Sequence, residues 1–318
     1  MSKNNKIVVD KTNADQEKQH YHVPVLLDEV IEGLAIKSDG VYVDCTFGGG
    51  GHSREILKCL SSEGKLFVFD QDESAKQNLP EDPRIIFIQQ NFRYLQKFLR
   101  VNGCLKVDGI LADLGVSSHQ FDEPERGFSI RSDANLDMRM DNRQSKTAAN
   151  IIATYSEIEL QKLFEKYGEV TNAKTLAKLI VDKRNLTSIQ SIAQFKQVLQ
   201  PIVKGNPNKY FAQVFQALRI EVNDEIGALK DLLRQSIELL KSEGRVAIIT
   251  FHSLEDRIVK NFFKTGSVDP VIVDDVFGTR PGNQLSPINK KPIEASVGEL
   301  ARNSRSRSAK LRIAAKKN

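Results

Sequence analysis

No segment of this 318-residue chain approaches the roughly 20 consecutive apolar residues that a membrane-spanning helix requires. The opening stretch, MSKNNKIVVDKTNADQEKQH, has neither an apolar core nor a small-residue cleavage site. It does not read as a secretory signal, and residues 1–20 are expected to form a disordered lead-in. Cysteine is scarce. Cys45, Cys59 and Cys104 lie far apart, form no CxxC pair and do not cluster with any of the five histidines. Their spacing supports neither a disulfide framework nor a zinc site. These absences point to a protein of the reducing cytoplasm, with no membrane partner and no metal.

A large excess of one charge is missing too, since the net value is only +5. Its placement is uneven. From Lys290 to Asn318, nine basic residues face only Glu294 and Glu299, which makes that stretch +7 and leaves the rest of the chain at −2. A basic terminus beside a near-neutral body suits a polyanion partner, and it reads equally well as a solvated tail.

What the chain does contain, in its first third, is strand alternating with helix. Short apolar runs occur at 41–45 (VYVDC), 65–70 (KLFVFD), 84–89 (RIIFIQ) and 107–113 (VDGILAD). Continuous apolar runs mark parallel strands buried on both faces. Helix-like segments at 52–60, 73–79 and 92–99 separate them, so a doubly wound α/β sheet is expected. After Asp113 comes a polar stretch, then helices only: Ser156 with Glu159 forms a capping box, and helical spacing continues to Lys241. A buried strand returns at 244–251 (GRVAIITF), followed by the helical SLEDRIVKNFF. The expected organisation is an α/β domain of residues 21–130 and 213–318, interrupted by an all-helical insertion at 131–212. Residues 264–295 read as a surface loop.

The first strand ends in Asp44 and runs into Gly48–Gly51. That much backbone freedom serves a tight turn or a ligand lying against bare backbone. A phosphate loop is excluded, because no Lys-Ser or Lys-Thr follows Gly51. The dinucleotide pattern GxGxxG fails as well: counted from Gly48, its third glycine is Ser53. S-adenosylmethionine has no phosphate to cradle, and needs an acidic strand end and open glycines, which Asp44 and the glycine run supply. The second strand ends in Asp70, 19 residues after Gly51. A carboxylate there can accept both hydrogen bonds from a ribose diol, a device shared by nicotinamide and methionine-derived cofactors.

The fourth strand ends in Asp113, which topology places at the same sheet edge. For methyl transfer, the residue types constrain the acceptor. A pyrimidine carbon requires a cysteine nucleophile, and all three cysteines sit in strand or pre-strand contexts. An exocyclic amine instead needs acceptors that hold its hydrogens and aim its nitrogen. Asp113, with the carbonyl of Leu114, can do so, most of the rate coming from positioning. Asp113 also reads simply as a turn cap.

Seven segments carry a resemblance: HVPVLLDEV (22–30), DCTFGGGGHS (44–53), DGILADLGVSSHQFDEPERGFS (108–129), DMRMD (137–141), FQALRIEVNDE (215–225), ITFHSLEDRIVKNFF (249–263) and NSRSRSAKLR (303–312). Together they resemble the bacterial small-subunit (16S) rRNA cytosine-N4 methyltransferase family, from about residue 20 onward. The resemblance implies a class I, Rossmann-like S-adenosylmethionine-dependent methyltransferase sheet with an inserted helical domain that recognises RNA. It also implies methylation of N4 of a cytidine in the decoding region. Cofactor contacts carried over by resemblance fall on Gly50, Gly51, His52, Asp70, Phe92, Asp113 and Gln120; Phe92 and Gln120 rest on it alone. Many amino-group DNA methyltransferases carry a Pro-Pro-aromatic motif at the fourth strand, where this chain has Asp113-Leu114-Gly115-Val116. Position therefore assigns no stacking aromatic, and Phe128 is the nearest candidate.

Other features allow two readings. His252 either touches RNA or the target base or is a satisfied structural histidine. Arg126, Arg131, Arg139 and Arg143 either meet phosphate or form a solvated face, and Asp137 and Asp141 around Arg139 suit ion pairing. A non-catalytic ribosome-maturation factor retaining the cofactor fold is the alternative to an enzyme. The oligomeric state is not encoded legibly.

Overall fold

A computed structural model describes residues 24–268 and 283–318. The expected lead-in, and 269–282 of the expected surface loop, lie outside the described residues.

The chain enters through α1 (Leu27–Leu34), β1 (Val41–Asp44), α2 (Gly51–Cys59), β2 (Lys65–Phe69), β3 (Ile85–Ile88), α3 (Leu95–Val101) and β4 (Val107–Asp113). These strands coincide with the apolar runs, and β4 is buried along its length up to Asp113. Two of the expected helical segments are tighter: Glu73–Asn78 and Phe92–Tyr94 are 3-10 turns, opened by Asp72 and Asn91 accepting from nearby backbone N–H groups. Five helices then follow the short α4 (Ser118–Asp122): α5 (Ala148–Thr154), α6 (Glu157–Gly168), α7 (Ala173–Arg184), α8 (Ile192–Leu199) and α9 (Pro207–Asn223). The capping box of α6 forms: Ser156 accepts from the Glu159 N–H, and the Glu159 carboxylate accepts from the Ser156 N–H at 2.7 Å. Leu160, Leu163, Phe164, Leu176 and Ile180 share one helical core that runs from Phe128 to Val222, whereas Leu179, expected in it, is only half-buried.

Positions 212 and 213 lie in the middle of α9, so the helical layer and the returning α/β layer share one continuous helix. The expected run from Tyr210 to Lys241 breaks at Asp224, which adopts a left-handed conformation with φ 47° between α9 and α10 (Glu225–Leu239). That kink brings Asn223 and Glu225 toward the sheet edge. Asn223 then pins the loop before the helices, accepting from Met140 N–H and donating to the Met138 carbonyl, both at 2.8 Å.

The remaining elements are β5 (Leu240–Thr250), α11 (Ser253–Thr265), β6 (Leu285–Pro287), α12 (Val297–Arg302) and β7 (Lys310–Lys316). The strands form one seven-stranded sheet in the order β3-β2-β1-β4-β5-β7-β6. Strands β1 to β5 are parallel, whereas β7 runs antiparallel between β5 and β6. Reversal of strand order between β1 and β4 places a crevice at their carboxyl ends, where ligands bind in open α/β sheets.

Strands β6 and β7 correct the reading of the C-terminal stretch. Far from a solvated tail, Leu311, Ile313 and Ala314 are buried in the sheet. Arg312, also buried, grips Asp256 of α11 with two hydrogen bonds of 2.6 and 3.1 Å. Other basic residues of the stretch remain outside, Arg302 and Arg307 among them. Removing one partner of a buried pair strands the other charge. Arg312→Ala should therefore cost about 3 kcal/mol in urea unfolding, while Arg307→Ala should stay within about 0.5 kcal/mol. Equal effects would contradict the strand assignment.

Candidate active site

The carboxyl ends of β1, β2, β4 and β5 open into one cavity of about 470 Å³, in the range of small-molecule sites. Its far wall comes from the helical layer, through Met140 and Asn223, and from Glu225.

Each glycine after β1 has its own reason. Gly48 and Gly50 adopt φ of 50° and 73°, a region costly for residues with a Cβ. A Cβ on Gly51 would come within 2.2 Å of Pro24 Cγ, so Gly51 is a packing requirement. A Cβ on Gly49 would meet nothing within 4 Å, which leaves bare backbone facing the cavity.

Three carboxylates end the strands. Asp44 is buried, accepting from Ser53 Oγ at 2.7 Å and from the Thr46 N–H at 3.1 Å; burial nevertheless raises its pKa. Asp70 accepts from the Gly48 and Asp72 N–H groups, both at 2.8 Å. Burial pushes it up to about 6, with Asp72 and Asp44 adding repulsion. Asp113 is the least satisfied. Its backbone N–H donates to Thr46 Oγ1 at 2.7 Å, but its Oδ1 is buried with no hydrogen-bond partner. Burial, reinforced by Asp44 and Glu255, raises its pKa to about 8. His52 stands behind it. One ring nitrogen lies 3.0 Å from the Val25 carbonyl and the other 3.9 Å from Asp113 Oδ2, while burial lowers its pKa. With Nε2 donating to Val25, Nδ1 faces Asp113 as an unprotonated acceptor.

The structure brings Gly51, His52, Asp70, Phe92, Asp113 and Gln120 to the wall of this one cavity. Gly50 is not on that wall; it caps the N-terminus of α2 and lies under the Phe47 ring. Gln120 is buried, its Nε2 donating to Asp72 Oδ2 at 2.8 Å and its Oε1 accepting from the Ser117 N–H. Phe128 packs into the helical core, and the aromatics lining the cavity are Phe47, Phe92 and Phe251. Arg126 is committed inward, with Nη1 2.8 Å from Asp72. Despite burial, hydrogen bonds from Gln120 and Ser74 and the charge of Arg126 hold Asp72 below the usual carboxylate range. Arg139 and Arg143 each pair with the aspartate two residues earlier, Asp137 and Asp141.

Sequence reasoning missed Asn223, Glu225, Phe251 and Glu255 on this wall. Their signal was available only as an acidic pair flanking the fifth strand, at a separation no local pattern links. Cys45 lines the cavity but is buried, which raises its thiol pKa well above normal and leaves no thiolate for attack on a ring carbon.

A bare-backbone turn after β1, acids at the tips of β1, β2 and β4, and an antiparallel β7 between β5 and β6 define a class I methyltransferase-type sheet. A family model described as the MraW methylase family matches residues 19–317, and the chain belongs to that family. It is 52% identical over 307 residues to the ribosomal RNA small subunit methyltransferase H of Parabacteroides distasonis, covering 95% of this chain and 99% of the relative. The protein of the same name from Cytophaga hutchinsonii is 54% identical over 299 residues, covering 92% and 99%. Among solved structures, an rRNA methylase from Streptococcus thermophilus is similar at a TM-score of 0.38 and 11% identity, covering 92% of this chain and 93% of that one. No helix among the described residues is long and apolar enough to cross a membrane.

The Asp113 carboxyl has a stability signature. Its folded pKa of about 8 exceeds the unfolded value, so the folded state holds the extra proton between about pH 4 and pH 8, and stability falls as pH rises through that window. Asp113→Asn should flatten this slope and raise the melting temperature at pH 8.5 more than at pH 5. A pH dependence unchanged by the substitution would count against it.

Proposed function

We propose that this protein transfers the methyl group of S-adenosylmethionine to the exocyclic N4 amine of a cytidine in the decoding region of small-subunit rRNA. The observation that carries the reading is the buried, unpartnered Oδ1 of Asp113 at the cavity wall. An orphaned buried acceptor costs about 1–3 kcal/mol unless a ligand satisfies it, and an amine hydrogen is such a partner. The names of relatives more than 50% identical over nearly their whole length support the small-subunit rRNA substrate.

The residues present fit the donor. Gly49 offers open backbone, Asp70 stands at the β2 tip where a ribose diol is held, and Asp113 on the wall supplies a carboxyl for a cation; Asp44 is not on that wall and holds Ser53 and the Thr46 N–H instead. Once bound, S-adenosylmethionine supplies an electrophilic methyl on a cationic sulfonium. Asp70 is already engaged by two backbone N–H groups, which leave further lone pairs on its oxygens for hydroxyl donors. In this reading Asp113 Oδ1 accepts one amine hydrogen and the Leu114 carbonyl accepts the second, so the nitrogen is aimed rather than chemically activated. The amine loses one proton on methylation. Ionised Asp113 is the nearest acceptor for it, and the unprotonated Nδ1 of His52 lies beyond.

A positive charge entering the cavity favours ionised Asp113 and lowers its raised pKa. Binding of S-adenosylmethionine near pH 7.5 should therefore release a fraction of a proton, seen by calorimetry in buffers of different ionisation enthalpy. Asp113→Asn should abolish the release and keep affinity within a few-fold. In turnover, Asp113→Ala should lower methyl transfer to small subunits by about 100-fold or more with RNA binding retained. Mass spectrometry of rRNA from cells lacking the gene should miss one N4-methylcytidine. Equal labelling of free cytidine and small subunits would overturn the substrate assignment; full activity of Asp113→Ala would overturn the role of that carboxylate.

A further inference from the structure

Transfer to the amine of a base needs a platform for the ring as well as acceptors for the hydrogens. A base swung out of its stack presents bare faces, and an aromatic side chain covering one of them fixes the ring plane, and with it the direction of the amine. The segment Asp113-Leu114-Gly115-Val116 holds no aromatic, and Phe128 packs away in the helical core. Three rings remain on the cavity wall, those of Phe47, Phe92 and Phe251.

Their places in the sheet separate them. Phe47 is buried beneath Gly50 and meets Phe87 edge-on, with centroids 6.1 Å apart. Phe92 opens the turn after β3, on the same side of β1 as Asp70. With a ribose held at Asp70, that is the adenine half of the cavity. Phe251 comes from the opposite half, directly after β5 and beyond β4. Asp113 is in register with Ile249, whose carbonyl accepts from the Leu114 N–H at 3.0 Å, so Phe251 stands two residues past the level of Asp113.

The ring has a built seat. Gly115 adopts φ 103°, and a Cβ there would lie 3.4 Å from Phe251 Cδ2, so the ring rests against the bare backbone of the turn after β4. The Phe251 N–H donates to Glu255 Oε2 at 2.9 Å. Glu255 Oε1 lies 3.1 Å from Nε2 of His252, whose Nδ1 caps α11 by accepting from the Glu255 N–H at 3.4 Å. His252 is therefore structural, and what it steadies is the residue before it. Phe251 itself stays only half-buried, on the wall of the cavity.

We propose that Phe251 is the stacking platform for the target base. One face of the cytosine ring lies on its phenyl group while Asp113 and the Leu114 carbonyl take the amine hydrogens. The inference rests on the proposed transfer to cytidine N4 and deepens it. A ring that many amino-group DNA methyltransferases carry in the fourth-strand segment is here brought in from the end of the fifth strand, and Gly115 leaves the room for it.

The test is methyl transfer by the full-length chain to small subunits from cells lacking the gene, with donor affinity measured separately by calorimetry. Phe251→Leu should lower kcat by about tenfold to a hundredfold, the worth of one stacked base. Donor affinity should stay within about twofold, and KM for subunits within about threefold, because one base is a small share of the contacts a particle makes. Phe251→Tyr, which keeps the ring, should recover most of the loss. Phe92→Leu should do the reverse, weakening donor binding more than it slows transfer at saturating donor. If circular dichroism shows Phe251→Leu unfolded, Phe251→Met, unbranched and also without a ring, replaces it. No transfer by the unaltered chain would overturn the functional reading and this inference with it. With the unaltered chain active, full activity without the ring, no recovery in a folded Phe251→Tyr, or a loss traced wholly to donor affinity would overturn the role of Phe251 alone.

Discussion

Crowded and unequally satisfied carboxyl groups at one sheet edge govern this molecule. Asp44, Asp70 and Asp113 end three adjacent parallel strands, and Glu255 adds a fourth carboxylate just past β5. Buried acids that close raise one another's pKa unless cations or N–H groups intervene. The fold deals with them unequally. Asp72, nearby, takes Arg126, Gln120 and Ser74; Asp70 takes two backbone N–H groups; Asp113 keeps an oxygen with no partner at all. On the proposed function, that gradient makes the space beside Asp113 the place for a positively charged guest.

The rest of the architecture serves that edge. Gly51 lets α2 press against Pro24, so His52 sits behind Asp113 with its far nitrogen on the Val25 carbonyl. The left-handed Asp224 turns α10 away from α9, and Asn223 and Glu225 on either side close the far wall. Asn223 ties that wall to Met138 and Met140, and Arg126, which donates to the Met140 carbonyl, also reaches Asp72 after β2, so the helical layer and the sheet edge meet through directed polar contacts rather than apolar contact alone. Relative shifts of the two layers would change the cavity before they changed either core.

Legibility followed the range of the interactions. Strands β1 to β4 announce themselves because parallel strands covered on both faces need unbroken apolar runs, and Asp70 follows from the distance between a glycine turn and the next strand tip. Strand β7 was hidden by its own composition. Arg312 is buried but charged, and the run from Asn303 to Lys317 looks like a polyelectrolyte until Asp256 is placed opposite it. Strand β6 is only three residues long and contains a proline. Asp224 gave no helix-breaking signal, since aspartate in a left-handed conformation depends on what packs around it. Glu225, His252 and Glu255 belong to segments about 30 residues apart, and only the crossing of α10 and α11 at the sheet edge makes them neighbours.

The position of β7 has a consequence for biosynthesis. Strand β6 is made before β7, the one strand it pairs with among the described residues, and β5 waits with one edge open until the same late segment arrives. An exposed edge beside a buried-type strand is a template for unwanted pairing. Until β7 is made, the sheet therefore keeps an unclosed flank that the helical layer, complete earlier in the chain, does not share.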